Sequence, residues 1–206
     1  MALESITLED QYVALKPMTT SHIDDLFVAG KDLSIWQWTT FNYCETLDIT
    51  KKWVNSCLKN ANLNIQQPFV IIDKTQSKVV GSTSYLNIFL EHKSIEIGFT
   101  FLNPTAQRSY VNRRCKLLLL SHAFETLKLN RVALQTHAKN QRSRTAISAI
   151  GATFEGIHRD CRIQQDGSVR SSAFYSIIKS EWPQVKSQLQ TKLTQPSNLS
   201  KSTIEK

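Results

Sequence analysis

The sequence predicts an α+β domain in which helices flank a mixed, mostly antiparallel central sheet. Three apolar segments, 68–73, 78–88 and 95–101, follow one another across short polar turns, and this arrangement is typical of an antiparallel meander. A fourth apolar segment, 131–137, comes only after a helical pattern and cannot be reached by a tight turn. We therefore expect it to lie parallel to the 95–101 strand, through a right-handed crossover.

Capping and turn residues predict the remaining elements. These are a strand at 12–16 ended by Pro17, a helix from a Thr20 cap to about Ala29, a helix starting near Asp48, a helix starting at Asn140, a hairpin of strands 153–163 and 168–178, and a terminal helix capped by Ser180. We expect residues 1–193 to form a single domain, and the polar composition of residues 194–206 predicts a disordered tail.

The stretch from Thr100 to Leu127 combines a strand end, a polar turn and an amphipathic helix that starts near Val111. A helix that begins just after a turn exposes backbone N–H groups at the positive end of its dipole, which is a binding site for an anion such as phosphate. Residues 102–149 contain nine Lys and Arg against one Glu, which equals the whole formal net charge of +8. This focused charge favours a polyphosphate ligand over nucleic acid or an anionic membrane.

Composition narrows the class of protein further. Apolar content of 41% and charged content of 20% are ordinary for a globular domain with a sizeable core. No apolar run is long enough to span a bilayer and the first residues lack a signal-peptide pattern, so we expect a cytoplasmic protein. The four cysteines, Cys44, Cys57, Cys115 and Cys161, are far apart and favour reduced core residues over a metal site.

Several collinear segments between residues 12 and 193 resemble the GNAT superfamily of acyl-CoA N-acyltransferases, in its ribosomal-protein-alanine (RimJ/RimL-like) branch. The matching segments are Val80-Gly-Ser-Thr-Ser-Tyr, Ile95-Glu-Ile-Gly-Phe-Thr, Lys116-Leu-Leu-Leu-Leu-Ser-His-Ala-Phe-Glu, Arg131-Val, Asn140-Gln-Arg-Ser, Ile150-Gly-Ala, Glu155-Gly and Glu181-Trp-Pro-x-Val. The resemblance implies the GNAT fold and an N-acetyltransferase that uses acetyl-CoA as co-substrate, without a metal.

The family's pyrophosphate loop aligns with Gln107-Arg-Ser-Tyr-Val-Asn, where Tyr110 and Asn112 stand at the two glycine positions. A side chain there would obstruct the approach of phosphate, and Tyr is a poorer substitute than Asn in left-handed backbone. An ordinary solvated basic turn is the competing interpretation of this loop. The cofactor-binding residues that the resemblance implies are Thr100, Phe101, Leu102, Gln107, Arg108, Ser109, Tyr110, Val111, Asn112, Arg113, Asn140 and Ser143.

The resemblance also implies two catalytic residues. Glu96, on the central strand, is expected to accept the proton of the attacking amine directly or through water, and a surface ion pair is the alternative. Many family members place a Tyr where this chain has Ile147, so Ser143 is the remaining hydroxyl that could protonate the leaving thiolate. Asn140 is expected to contact the pantetheine arm or a catalytic water, and simple capping is the alternative for both Asn140 and Ser143.

Three functional hypotheses remain. The first is an N-acetyltransferase for a primary amine, most of all a protein N-terminal amine, with a small amine or amino sugar second. The second is a degenerate domain that binds acyl-CoA or a partner without catalysis, and the third and weakest is nucleic-acid binding. A monomer or a homodimer is expected. The loop carrying Trp36, Trp38, Phe41 and Tyr43 is predicted either to wall a substrate cleft or to cover a core edge.

Overall fold

A computed structural model describes residues 3–164 and 166–194 and contains one eight-stranded sheet, in the order β1-β2-β3-β4-β5-β6-β8-β7. The strands are β1 Leu8–Glu9, β2 Val13–Pro17, β3 Gln66–Asp73, β4 Lys78–Phe89, β5 Ser94–Leu102, β6 Arg131–His137, β7 Thr153–Ile163 and β8 Val169–Ile178. The helices are α1 Ile23–Ala29, α2 Leu47–Asn62, α3 Tyr110–Ser121, α4 Gln141–Ala149 and α5 Trp182–Thr194. Only β5 and β6 pair in parallel, which confirms the predicted mixed, mostly antiparallel sheet.

The sheet separates two apolar cores, and alternation along β3 sorts residues between them. Phe69 and Ile71 belong to the core that α3, α4 and α5 cover, whereas Val70 belongs to the core under α1 and α2. We call these two sides of the sheet the α3/α5 face and the α1/α2 face.

The most consequential irregularity is a bulge in β5. The pairing of β5 with β4 shifts between Ser82 and Ser84, and Phe99 has a φ of 45° in the left-handed region. An extra residue bends a strand away from its neighbour, and β5 pairs with β6 only over residues 94–96 and 131–133. Beyond that point, residues 97–102 and 134–137 diverge and leave an opening that we call the β5–β6 cleft.

The bulge also corrects one expectation. Strict alternation would place Phe99 in the same core as Ile95 and Ile97, but its side chain is 51% exposed and its ring contacts Tyr43 on the α1/α2 face. The inserted residue shifts the alternation by one position, so every side chain after it changes face relative to a regular strand.

Helix boundaries differ from the predicted ones by one or two residues. Thr19, and not Thr20, caps a 3₁₀ turn that leads into α1, and Thr46 caps α2, which begins at Leu47. At the other end of the chain, Glu181 rather than Ser180 directly precedes α5, which ends at Thr194. The remainder of the predicted tail, 195–206, lies outside the described residues.

Candidate active site

Two helix N-termini meet at the open end of the β5–β6 cleft, because α3 follows β5 and α4 follows β6. Gln107 connects them: its Nε2 donates to the Leu102 carbonyl at 2.8 Å, and its Oε1 accepts from Arg142 Nη1 at 2.9 Å. The positive ends of both helices, together with the guanidinium groups of Arg108 and Arg142, form a site suited to a diphosphate.

The backbone strain in the predicted phosphate loop lies at Arg108. This residue has a φ of 59°, whereas Tyr110 and Asn112 are not in the left-handed region, so the predicted torsional conflict at those two positions is wrong. Both lie inside α3, which Ser109 caps by accepting from the Val111 N–H at 3.2 Å. The helix begins early enough that neither substituted position needs glycine torsions.

The side chain of Tyr110 also leaves the cleft open. Its hydroxyl donates to Asp73 Oδ1 at 2.9 Å and lies 3.1 Å from the Thr75 hydroxyl, while its ring packs against Tyr12 at 5.7 Å. Asp73 is on β3, two strands away from the cleft. The side chain that replaces glycine therefore anchors the start of α3 to the β3–β4 turn.

Not every residue of the predicted cofactor set faces the cleft. Thr100, Gln107, Arg108, Ser109, Asn140 and Ser143 lie on the elements that border it. Val111 and Leu102 are buried in the core of the α3/α5 face, and Phe101 packs against Trp36 at 5.1 Å on the opposite face. Arg113 extends along α3, and its Nη1 lies 3.3 Å from the Lys192 carbonyl of α5.

Glu96 lies at the closed end of the cleft, in the last residue pair that joins β5 to β6. Only 6% of it is exposed, and its two carboxylate oxygens accept from Asn87 Nδ2 and Gln135 Nε2, each at 2.8 Å. The surface ion pair considered as an alternative is wrong, since Glu96 is buried and pairs with no cation among the described residues. Each oxygen keeps a lone pair that can accept another proton.

Asn140 and Ser143 open α4 on the other side of the cleft. Asn140 Oδ1 accepts from the Ser143 N–H at 3.0 Å, so Asn140 does cap the helix, and its amide nitrogen remains available to a ligand. The half-buried Ser143 hydroxyl has no hydrogen-bond partner among the described residues, whereas Ile147, one turn further, is buried in the core.

An open aromatic pocket of about 410 Å³ lies on the α1/α2 face, the face onto which the Glu96 side chain projects. Gln66 in its wall, Leu86 and Glu96 occupy one row across β3, β4 and β5. The aromatic members of the wall are Phe41, Tyr43, Trp53 and Phe99. The pocket therefore opens beside the closed end of the cleft.

The aromatic loop at 36–43 spans the cleft. Its two predicted roles, covering a core edge and walling a substrate cleft, belong to different residues of the loop. Trp36 is buried against Phe101, as a core cover would be. Tyr43 stacks on Trp53 at 5.5 Å and lines the pocket, whereas Trp38 contacts the ring of His137 at the end of β6, at 5.0 Å. The loop thus connects the β5 and β6 sides of the cleft.

Lys116 is a site residue that sequence reasoning missed. It is 6% exposed in α3, and its Nζ donates to the Thr100 hydroxyl at 3.1 Å beside the cleft. Burial lowers the pKa of this ammonium from 10.5 to about 8. Helical spacing in the sequence could have indicated that Lys116 is buried, because it falls on the same helical face as Leu119, Leu120 and Ala123, which are all buried.

Two features are absent from residues 3–164 and 166–194. No group of three or more His, Cys, Asp or Glu side chains is placed to hold a metal ion. No helix combines the length and the apolar character needed to cross a bilayer.

Comparisons with known proteins agree with this geometry. A family model for the acetyltransferase (GNAT) domain matches residues 13–153. A curated protein of Bacillus subtilis (strain 168), named "Putative ribosomal N-acetyltransferase YdaF", is 31% identical over 102 residues, or 50% of this chain and 55% of that protein. The match thus spans about half the length of this relative.

A solved structure extends the similarity to nearly the whole chain. The GCN5-related N-acetyltransferase from Brucella melitensis is 28% identical and superposes with a TM-score of 0.88, covering 96% of this chain and 89% of that one. Acetyl transfer from acetyl-CoA is the reaction of the family, which confirms the predicted class of enzyme and its co-substrate. The chain belongs to the GNAT acetyltransferase domain family.

Proposed function

We propose that this protein transfers an acetyl group from acetyl-CoA to the N-terminal amine of a protein. The observation that carries the proposal is the β5–β6 cleft, with two helix N-termini at its open end and the buried carboxylate of Glu96 at its closed end. A cleft with an anion site at one end and a proton acceptor at the other has the layout that transfer from a phosphorylated carrier requires.

The residues around the cleft match the chemical groups of acetyl-CoA. The first turns of α3 and α4, with Arg108 and Arg142, would hold the pyrophosphate. On the β6 side, the backbone groups of residues 97–102 have no strand partner in the described part of the chain, so they can pair with the amides of the pantetheine arm. Bound acetyl-CoA supplies the acetyl group as a thioester.

Glu96 and Ser143 have separate roles in the proposed reaction. Glu96 accepts the proton that the amine loses, directly or through water, while Asn87 and Gln135 hold the carboxylate in place. The Ser143 hydroxyl donates to the thiolate as it leaves.

The aromatic pocket supports a peptide chain end as the acceptor. It opens on the face that carries Glu96, and aromatic walls bind the apolar parts of a short extended peptide. The curated relative, whose name assigns it to ribosomal N-acetylation, favours a protein N-terminus over a small amine. We further expect residues 1–193 to act as one domain in the cytoplasm, as a monomer or a homodimer.

Release of thiol from acetyl-CoA in the presence of short peptides tests this function. Peptides with an unblocked N-terminus should become acetylated there, as seen by mass spectrometry, whereas the same peptides with a blocked N-terminus should not react. Thermal unfolding is measured in parallel, because acetyl-CoA at a hundred times its Kd should stabilise the fold by about 2.7 kcal/mol. Stabilisation without thiol release from any amine would support the non-catalytic alternative and contradict the proposal.

A further inference from the structure

Two arginines lie directly opposite each other in the β7–β8 hairpin. Arg162 of β7 and Arg170 of β8 are paired in register, so their side chains share one face of the sheet. Like charges in opposed positions destabilise a sheet unless a counter-charge is present. Among the described residues no carboxylate forms an ion pair with either guanidinium.

Arg170 is partly withdrawn from water and has donors to spare. Its Nη1 donates to the Trp38 carbonyl at 3.2 Å, and its Nε is buried with no hydrogen-bond partner among the described residues. Burial lowers the pKa of this guanidinium, and the nearby charge of Arg162 lowers it further. A guanidinium with five N–H donors and an uncompensated charge is suited to an oxyanion.

This arginine pair faces the aromatic pocket and the cleft. Burial and then Cys57 raise the pKa of the Tyr43 phenol in the pocket wall, and the charge of Arg162 opposes them. Arg170 holds the Trp38 carbonyl, and the Trp38 ring contacts His137 at the end of β6. Burial and then the charge of Arg170 lower the pKa of His137, so this corner of the site is electropositive.

We propose that Arg162 and Arg170 bind an anionic group, a carboxylate or a phosphate, that the acceptor carries close to its reactive amine. The inference rests on the proposed function and narrows its substrate class to acidic N-terminal segments. An anion between the two guanidinium groups would neutralise the opposed charges. It would also hold the amine end of the acceptor toward the aromatic pocket.

Matched peptides test this proposal. Each pair differs only by Asp against Asn, or by phosphoserine against serine, in the residues that follow the N-terminus, so the two pairs separate a carboxylate from a phosphate. The acidic member of each pair should react with a kcat/KM about 10- to 100-fold higher than the neutral member, because the free energy of a charge-assisted hydrogen bond corresponds to a factor of this size. The preference should shrink at high salt.

Two variants and a control connect the preference to the pair. Arg162→Gln and Arg170→Gln should each reduce the ratio of acidic to neutral kcat/KM toward unity. Arg159→Gln is the matched control, because Arg159 is exposed on the same strand and falls in the register shift between His158 and Arg162, so it is not paired with Arg170. If loss of the hydrogen bond to the Trp38 carbonyl unfolds Arg170→Gln, the Arg162→Gln variant still tests the proposal.

Calorimetric binding of the same peptides separates this proposal from the proposed function. If no peptide is acetylated but the acidic one binds the wild type more tightly than Arg162→Gln, the function fails and the anion site stands. Equal binding and equal kcat/KM for acidic and neutral peptides in the wild type would overturn the anion site. An acidic preference that survives in both arginine variants would overturn it as well.

Discussion

Glu96 differs from other carboxylates of the chain in the partners that hold it. Glu125 and Glu155 pair with Lys186 and Arg131, respectively, and those cations lower their pKa values. Glu96 instead accepts one neutral amide N–H on each oxygen. The amides fix the orientation of the carboxylate without a neighbouring cation that would compete for its negative charge, which suits a residue that accepts a proton during turnover.

Glu96→Gln should lower kcat by about 10²- to 10⁴-fold while the Kd for acetyl-CoA stays unchanged, because the amide keeps the shape but cannot accept a proton. A pH–rate profile with a confirmed acceptor, together with calorimetric binding, measures both quantities. Ser143→Ala is the comparison and should lower kcat less, since water can replace a hydroxyl near the thiolate. A kcat close to wild type for Glu96→Gln across the neutral range would remove Glu96 from the mechanism.

Arg108 combines backbone strain with a charge at the phosphate loop. Arg108→Gly and Arg108→Ala both remove the guanidinium, so both should weaken acetyl-CoA binding, and the loss should shrink as salt increases. Only the glycine variant relieves the left-handed backbone, so it should be more stable than the alanine variant by about 1 kcal/mol. Urea unfolding compares the two, and equal stabilities would show that the loop relaxes without glycine.

At the scale of secondary structure, α3 contains a buried ammonium whose effect on stability depends on pH. The pKa of Lys116 is about 8 in the folded chain against 10.5 in the unfolded one, so between these values the unfolded chain binds more protons. The free energy of unfolding should therefore rise as pH increases from about 8 to 10.5, by about 3 kcal/mol at most. Below pH 8 the buried charge lowers the stability of the folded chain by this whole amount.

Lys116→Met keeps the length of the side chain and removes this penalty. The variant should be more stable than the wild type at neutral pH, and its advantage should diminish as pH rises toward 10. Urea unfolding at several pH values measures the difference, with Lys59→Met on the exposed side of α2 as the control. An advantage that does not change with pH would show that the pKa of Lys116 is the same in the folded and the unfolded chain, and would contradict the penalty.

Local patterns predicted the strands and helices but not the bend in β5. Alternation at Ile95, Ile97, Phe99 and Phe101 indicates an uninterrupted strand, and the structure interrupts it at Phe99. Gly98 was the available signal, since glycine inside a strand often accompanies a bulge or a close contact. A Cβ at this position would lie 2.7 Å from Leu86 Cδ1, which explains the glycine but only once the packing is known.

At the scale of the whole molecule, the parallel pairing of β5 with β6 explains why one site exists. Parallel strands end at the same edge of the sheet, so the helices that follow both strands begin side by side and their positive ends combine. The order of elements in the sequence is enough to predict this arrangement. The acceptor side of the site cannot be predicted in this way. Its contacts, such as that of Arg170 with Trp38, join residues 132 positions apart that no local sequence pattern connects.

A crystal structure of the protein with acetyl-CoA would show directly whether the β5–β6 cleft holds the acetyl donor. We expect the pyrophosphate between the first turns of α3 and α4, in contact with Arg108 and Arg142. We expect the pantetheine amides to pair with the backbone of residues 97–102, and the thioester to lie at the closed end beside Glu96. A cofactor bound outside the cleft, or a thioester far from Glu96, would contradict the proposed site.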